Sequence, residues 1–403
     1  MDWRSLDEQY IVSTYKRLPI AIAKGEGNYL YDTNGKRYLD LFTGLAVNVL
    51  GHSHPRILKA LHEQGEQFLH ISNVFLNQPA IRLAQRLIEQ TIAGKVFFTN
   101  SGAEATEAAI KLIHKWTKAE GAGRDGIVVL RNSFHGRTLG AVRLTRQAHV
   151  YQDFPQPDIP VYELDAEDTE GLRALCQEAK PAAVLMEPVL GSGGVVPLSE
   201  SFLRDVQAIC QEEGMLFGMD EIQTGMGRTG KLFAYQHAGV KPDLILFAKG
   251  VGGGLPLGGV IAGTQLMNQF KPGDHGTTFA PSPLSAALGN AVLDELLDPS
   301  FVASVDEVIE YLWSGLEALR SRLPQQLQAL RGKGMMVGIP LSVTPEEASR
   351  LQSDLLAEGI LVDVTQKTIV RLLPPLTLTK VDVDRFLEVF TRQLTAASSA
   401  KEA

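Results

Sequence analysis

Between residues 56 and 290 the chain alternates short apolar runs with amphipathic stretches, and this alternation restricts the fold more than any other feature. The runs at 96–99, 126–130, 183–186 and 244–247 have strand length and are almost continuously apolar. The stretches between them carry helical spacing. In 199–213, Phe202, Leu203, Val206, Ile209 and Cys210 share one face, and Gly214 supplies a stop. Strands that are apolar at every position must be covered on both faces, so the pattern predicts a mostly parallel α/β sheet with helices on either side. Ligands of such sheets bind at the carboxyl ends of the strands. Glu187, Asp220 and Lys249 all fall at such ends.

Lys249 follows the run 244–248 and precedes Gly250, Gly252, Gly253 and Gly254. A lysine beside a buried strand end is costly unless something neutralises or uses it. Desolvation also brings its pKa toward neutrality, which Schiff-base chemistry needs. Alone, it is equally a lysine that reaches the surface along its own apolar stem. Asp220 lies 29 positions earlier, at the end of the apolar run 215–219. A lysine and a carboxylate at neighbouring strand ends are the pair that pyridoxal phosphate requires. The amine forms an imine with the aldehyde, and the carboxylate keeps the ring nitrogen protonated so that the ring is an electron sink. A helix cap or loop carboxylate is the other reading of Asp220, and it leaves Lys249 without a partner.

A phosphate site is legible upstream. Asn100-Ser101-Gly102-Ala103-Glu104 follows the run 96–99 and opens a helix with Ala105, Ala108, Ala109, Leu112, Ile113 and Trp116 on one face. Ser101 and Glu104 fit a reciprocal capping box. Gly102 leaves the first amides unshielded at the positive helix end, which makes an anion site. Cap and anion site are compatible. Phe134 and Arg137 lie in the loop after the run 126–130. Phe134 can stack on a planar ring or simply pack, and Arg137 can grip a carboxylate or stay solvated.

The 403 residues are 44% hydrophobic and 21% charged, enough for two or more folded units with sizeable cores. The net charge of −8, with no basic block, argues against a nucleic-acid partner. No apolar run reaches membrane-spanning length, and the charged start is unlike a signal peptide. Cys176 and Cys210 lie in helical patterns and are expected as reduced, buried thiols in a cytoplasmic protein. His52 and His54 are expected in a turn before Pro55, with no metal. Residues 22–42 carry a hairpin pattern around Asp32-Thr33-Asn34-Gly35, 300–403 are helix-rich, and 396–403 are expected as a loose tail. These features divide the chain into a large unit at 51–295 and a smaller α+β unit from 1–50 and 296–403.

Taken together, 51–55, Ser72-Asn73, 100–107, 134–138, Glu187-Pro188, 220–230, 248–254, 276–279 and 331–334 resemble the class III, fold type I, pyridoxal-phosphate aminotransferases. The matches run in family order over nearly the whole chain. Tyr15, Phe134-His135 before Gly136-Arg137, and Arg371-Leu372-Leu373-Pro374-Pro375 are similar to its acetylornithine-directed branch.

The resemblance implies a homodimer that exchanges amino groups between a small amino acid and 2-oxoglutarate or glutamate. It implies Lys249 as imine former and proton shuttle, Asp220 at the pyridine nitrogen and Gln223 at the phenolic oxygen. Phe134 and Ile222 are implied about the ring, and Ser101, Gly102 and Ala103 at the phosphate, with Thr278 arriving from the other subunit. For the substrate it implies Arg137, Arg371, Tyr15, Glu187 and Thr277. Two departures concern the substrate side. Leu190 and Ser192 stand where many relatives have glutamine and glutamate, and Ala280-Pro281-Ser282-Pro283 replaces a glycine-rich turn. That glutamate pairs with the second arginine in relatives, so Arg371 is expected here as an uncompensated cation.

Overall fold

A computed structural model describes residues 2–120 and 123–402, with side chains as far as residue 396. Its centre is a seven-stranded sheet formed by β1 (Gly94–Thr99), β2 (Ile127–Leu130), β3 (Val161–Leu164), β4 (Ala183–Met186), β5 (Leu216–Asp220), β6 (Leu244–Phe247) and β7 (Gly258–Gly263). The spatial order is β1-β7-β6-β5-β4-β2-β3. Strands β2 to β6 pair in parallel, and β7 runs antiparallel to both of its neighbours.

The expected two-sided burial is present and follows the period of a strand. Val128, Leu130, Val184, Met186, Ile245 and Phe247 join one apolar cluster, with Phe202 and Val206 of the helix Glu200–Glu213. Ile127, Val129, Ala183, Leu185, Leu244 and Leu246 join the other, with Ala105, Ala109 and Leu112 of the helix Gly102–Ala119. Alanines on that helix let its backbone lie close to the sheet.

Strand register sets the level of the polar residues. Met219 pairs with Met186, so Asp220 and Glu187 leave adjacent strands side by side. Asp220 pairs with Leu246, which places Lys249 three residues beyond the same level. β7 begins at Gly258 opposite Thr99, so residues 254–257 also lie at this end of the sheet.

Two smaller sheets combine sequence from both ends of the chain. Ile22–Glu26, Tyr29–Asp32 and Arg37–Asp40 form a meander that Ile360–Leu361 extends in parallel beside Leu39 and Asp40. Arg331–Lys333, Met336–Pro340, Ile369–Leu372 and Asp363–Thr365 form the second sheet, antiparallel throughout. Residues 396 onward, expected as a loose tail, instead continue the helix Lys380–Glu402, consistent with the helix-forming Ala, Lys and Glu there; Ala403 lies outside the described residues. Cys176 and Cys210 are buried and unpaired. His52 donates to or accepts from buried Asp40 at 2.7 Å beside the helix that opens at Pro55. Among the described residues no helix is long and apolar enough to cross a membrane.

Candidate active site

A cavity of about 430 Å³ opens at the carboxyl end of the sheet. Lys249, Asp220, Glu187, Gln223, Ile222, Phe134, Arg137, Ser101, Gly102 and Ala103 all line it. A wider groove of about 820 Å³ opens at the opposite end of the sheet, by the starts of β5 and β6, and carries none of the predicted residues.

Lys249 sits just past β6 with a backbone φ of 51°, a left-handed conformation that costs a non-glycine residue energy and clusters at functional sites. No ion pair of its ammonium is present among the described residues. Loss of hydration, reinforced by the Arg371 cation, brings its pKa down to about 8; Asp220 and Glu187 oppose this. The neutral amine therefore grows in as pH rises through about 8 rather than 10.5. Borohydride trapping of an aromatic aldehyde on the apoprotein should show labelling of Lys249 rising through about pH 8. A midpoint near 10.5, the ordinary lysine value, would mean the amine is hydrated and unactivated.

Asp220 is buried, and each of its oxygens has one partner in the wall. Oδ2 lies 2.7 Å from His135 Nδ1, and Oδ1 accepts the Ile222 amide at 3.1 Å. The next residue, Glu221, turns away from the cavity and accepts the amides of Ala234 and Tyr235 and the Thr224 hydroxyl. Glu187 is also buried and accepts the Phe134 amide at 2.9 Å. Burial, with nearby Asp220 adding to it, pushes its carboxyl up to about 7.

Ser101 caps the helix Gly102–Ala119 through the Glu104 amide at 3.2 Å. The expected reciprocal bond is displaced by one residue: the Glu104 carboxylate accepts the Asn100 amide at 2.6 Å, not that of Ser101. The amides of Gly102 and Ala103 have no protein acceptor among the described residues, and both residues face the cavity. Gly102 is also required by packing, since a Cβ there would lie 2.9 Å from Ile222. Gln223 Oε1 is buried without a partner, and a Cβ on Gly191 would fall 2.0 Å from it. The Arg137 guanidinium lies 5.6 Å from the centre of the Phe134 ring.

Four predicted residues lie elsewhere. Tyr15 is exposed within the N-terminal segment, away from the cavity. Thr277 accepts Asn100 Nδ2 at 2.8 Å through its hydroxyl, and Thr278 is exposed. Arg371 is buried behind the site and is not the uncompensated cation that Ser192 suggested. Its Nη2 and Nε lie 2.6 and 2.8 Å from Asp363 Oδ2, because Asp363 and Arg371 face each other across antiparallel strands. Only Nη1 is left without a partner. Sequence reading gave no role to His135, Asp363, or cavity-lining Val47 and residues 254–257. Asp363 is found only through strand pairing, and Val47 follows a tight turn with positive φ at Thr43, Leu45 and Ala46.

The family model for aminotransferase class-III matches residues 10–394. The chain belongs to the class-III aminotransferases. Among curated relatives, the acetylornithine aminotransferase of Caldanaerobacter subterraneus is 40% identical over 384 residues, covering 95% of this chain and 96% of that protein. The N-acetylornithine aminotransferase of Stenotrophomonas maltophilia superposes with a TM-score of 0.83 at 31% identity, covering 98% and 99% of the two chains. An ornithine aminotransferase from Toxoplasma gondii, described with partial occupancy of PLP at its active site, gives 0.92 at 28% identity, covering 99% and 95%. This class-III aminotransferase therefore shares the fold of its family, with its large mostly parallel sheet, over nearly the full chain.

Proposed function

We propose that this aminotransferase uses pyridoxal 5′-phosphate to move the δ-amino group of N2-acetylornithine to 2-oxoglutarate, in arginine biosynthesis. The observation that carries the chemistry is the convergence of Lys249, Asp220 and the free amides of Gly102 and Ala103 on one cavity. The donor rests on the curated relatives that are named for it.

The residues suit the cofactor. An activated amine, an anionic carboxylate, an aromatic face and two unpaired amides at a helix start match an aldehyde, a ring nitrogen, a ring and a phosphate. The unpartnered Gln223 oxygen marks one more polar position. When bound, the cofactor supplies an electron sink. In this reading Lys249 Nζ would hold the cofactor aldehyde and carry the proton. Asp220 would face the ring nitrogen and Gln223 the phenolic oxygen. Phe134 and Ile222 would lie about the ring, and Ser101, Gly102 and Ala103 would hold the phosphate. Arg137 takes the α-carboxylate and Arg371 the second carboxylate of glutamate, with Glu187, Tyr15 and Thr277 about the substrate.

Thr278 belongs to the phosphate site of the second subunit of a homodimer. That reading is supported by exposed Val74, Phe75, Leu76 and Phe279 on the same face, tied together by Asn73 Nδ2 on the Thr277 carbonyl at 2.9 Å. Residues 51–295 form the large domain, and 1–50 with 296–403 the small one. Unpaired Cys176 and Cys210 suit a cytoplasmic enzyme.

The Asp363–Arg371 pair keeps ornithine as the rival donor, because it weakens the repulsion that an α-ammonium would meet. Asp363→Asn should release Arg371 toward the substrate. The KM for 2-oxoglutarate should then fall on the order of tenfold, and ornithine should become a poorer donor relative to N2-acetylornithine. A higher KM would show instead that Asp363 holds Arg371 in place. The reading as a whole is tested by a donor panel with 2-oxoglutarate, scored for glutamate. N2-acetylornithine should be used best among ornithine, succinylornithine, a carrier-linked lysine derivative and 4-aminobutyrate. A clear preference for any other would replace the donor.

A further inference from the structure

His135 has no part in the reaction as proposed above, yet its side chain is fully buried against Asp220. Both sides of its backbone are pinned. Its amide donates to Thr145 Oγ1 at 3.0 Å, and its carbonyl accepts the hydroxyl of Thr106 at 2.7 Å. Thr106 lies in the helix Gly102–Ala119, so the ring is fixed to the same element that presents the free amides. Nδ1 stands 2.7 Å from Asp220 Oδ2, while Nε2 is buried with no partner.

This asymmetry fixes the proton. An ionised Asp220 can only accept, so the hydrogen of the short contact belongs to Nδ1. A second N–H at Nε2 would be a buried donor with nothing to receive it, whereas a bare ring nitrogen is the less costly orphan. The ring therefore presents its Nδ1–H to Asp220. With the Ile222 amide on Oδ1, each oxygen of Asp220 has one donor in the wall and keeps a lone pair for the cavity. Glu187 is the other acidic group lining the cavity at this level.

We propose that His135 is a positioning residue, whose Nδ1–H keeps Asp220 ionised and aimed at a cationic ring nitrogen in the cavity. The inference rests on the assignment of Asp220 to that nitrogen. Its test is the affinity of apoprotein for pyridoxal 5′-phosphate. H135L keeps bulk but removes the donor, and should weaken binding roughly ten- to hundredfold, the worth of one hydrogen bond to a charged group. H135N places an amide N–H near the position of Nδ1 and should stay within about threefold of wild type. H135Q places its donor near Nε2 and should behave like H135L, which preserves the comparison if H135L folds poorly. In a D220A background H135L should add no further loss.

Wild-type affinity in H135L would overturn the proposal. So would equal losses in H135N and H135L, or an undiminished effect of H135L without Asp220. D220A binding like wild type would bring down the assignment of Asp220 itself, and this inference with it. Loss in D220A without loss in H135L would overturn only the part given to His135.

Discussion

Lys249→Ala should abolish turnover, by on the order of 10⁴-fold or more, and leave the fold intact. The size follows from two duties on one amine, bond formation and proton transfer. The intact fold follows from the contacts: no ion pair ties the Lys249 ammonium among the described residues, and its hydration is poor. Removing it deletes a partly desolvated cation near the Arg371 guanidinium, so the melting temperature should hold or rise. Alanine inherits the positive φ, so that strain is unchanged. Rate and melting temperature on the same variant check both halves. Borohydride reduction of the wild-type holoenzyme, followed by peptide mapping, should label Lys249. A label on another lysine would end the assignment.

Asp220→Asn should lower kcat by roughly 10²- to 10³-fold, the scale for removing one preorganised charge from a buried site. The amide keeps the shape but has a single acceptor oxygen, so it can accept from His135 or from the Ile222 amide and not from both, and it no longer stabilises a cation in the cavity. The loss should fall on kcat more than on KM. If Asp220 were a structural cap, the variant would lose about 1 kcal/mol of stability and turn over normally. Kinetics and melting measured together separate the two.

The sheet was readable because both of its faces are buried. Strands such as Ala183–Met186 and Leu244–Phe247 are apolar at every position, which leaves few alternatives. β7 was not readable: Gly258, Gly259 and Gly263 dilute its apolar character, and only pairing between β1 and β6 makes it a strand. The strand-end rule picked out Glu187, Asp220 and Lys249, and Glu221 directly follows Asp220. The two carboxylates differ only in which way the chain turns after β5, and that turn is fixed by the amides of Ala234 and Tyr235 on Glu221.

The charge balance around Arg371 failed for a related reason. Replacing a glutamate by Ser192 is visible in sequence, whereas the compensating Asp363 depends on the register of two short strands. His135 was visible as a residue and not as a contact, since it lies 85 positions from Asp220. The shifted cap at Asn100 lies within the few residues over which local sequence rules are least sharp.

Transfer of the amino group itself is the most direct measurement. N2-acetylornithine carrying ¹⁵N only at the δ position should be incubated with the holoenzyme and unlabelled 2-oxoglutarate. The label should appear in the α-amino group of glutamate, in amounts equal to the aldehyde formed from the donor. Label that stays in the donor, or donor consumed with carbon dioxide released and no labelled glutamate, would contradict δ-amino transfer.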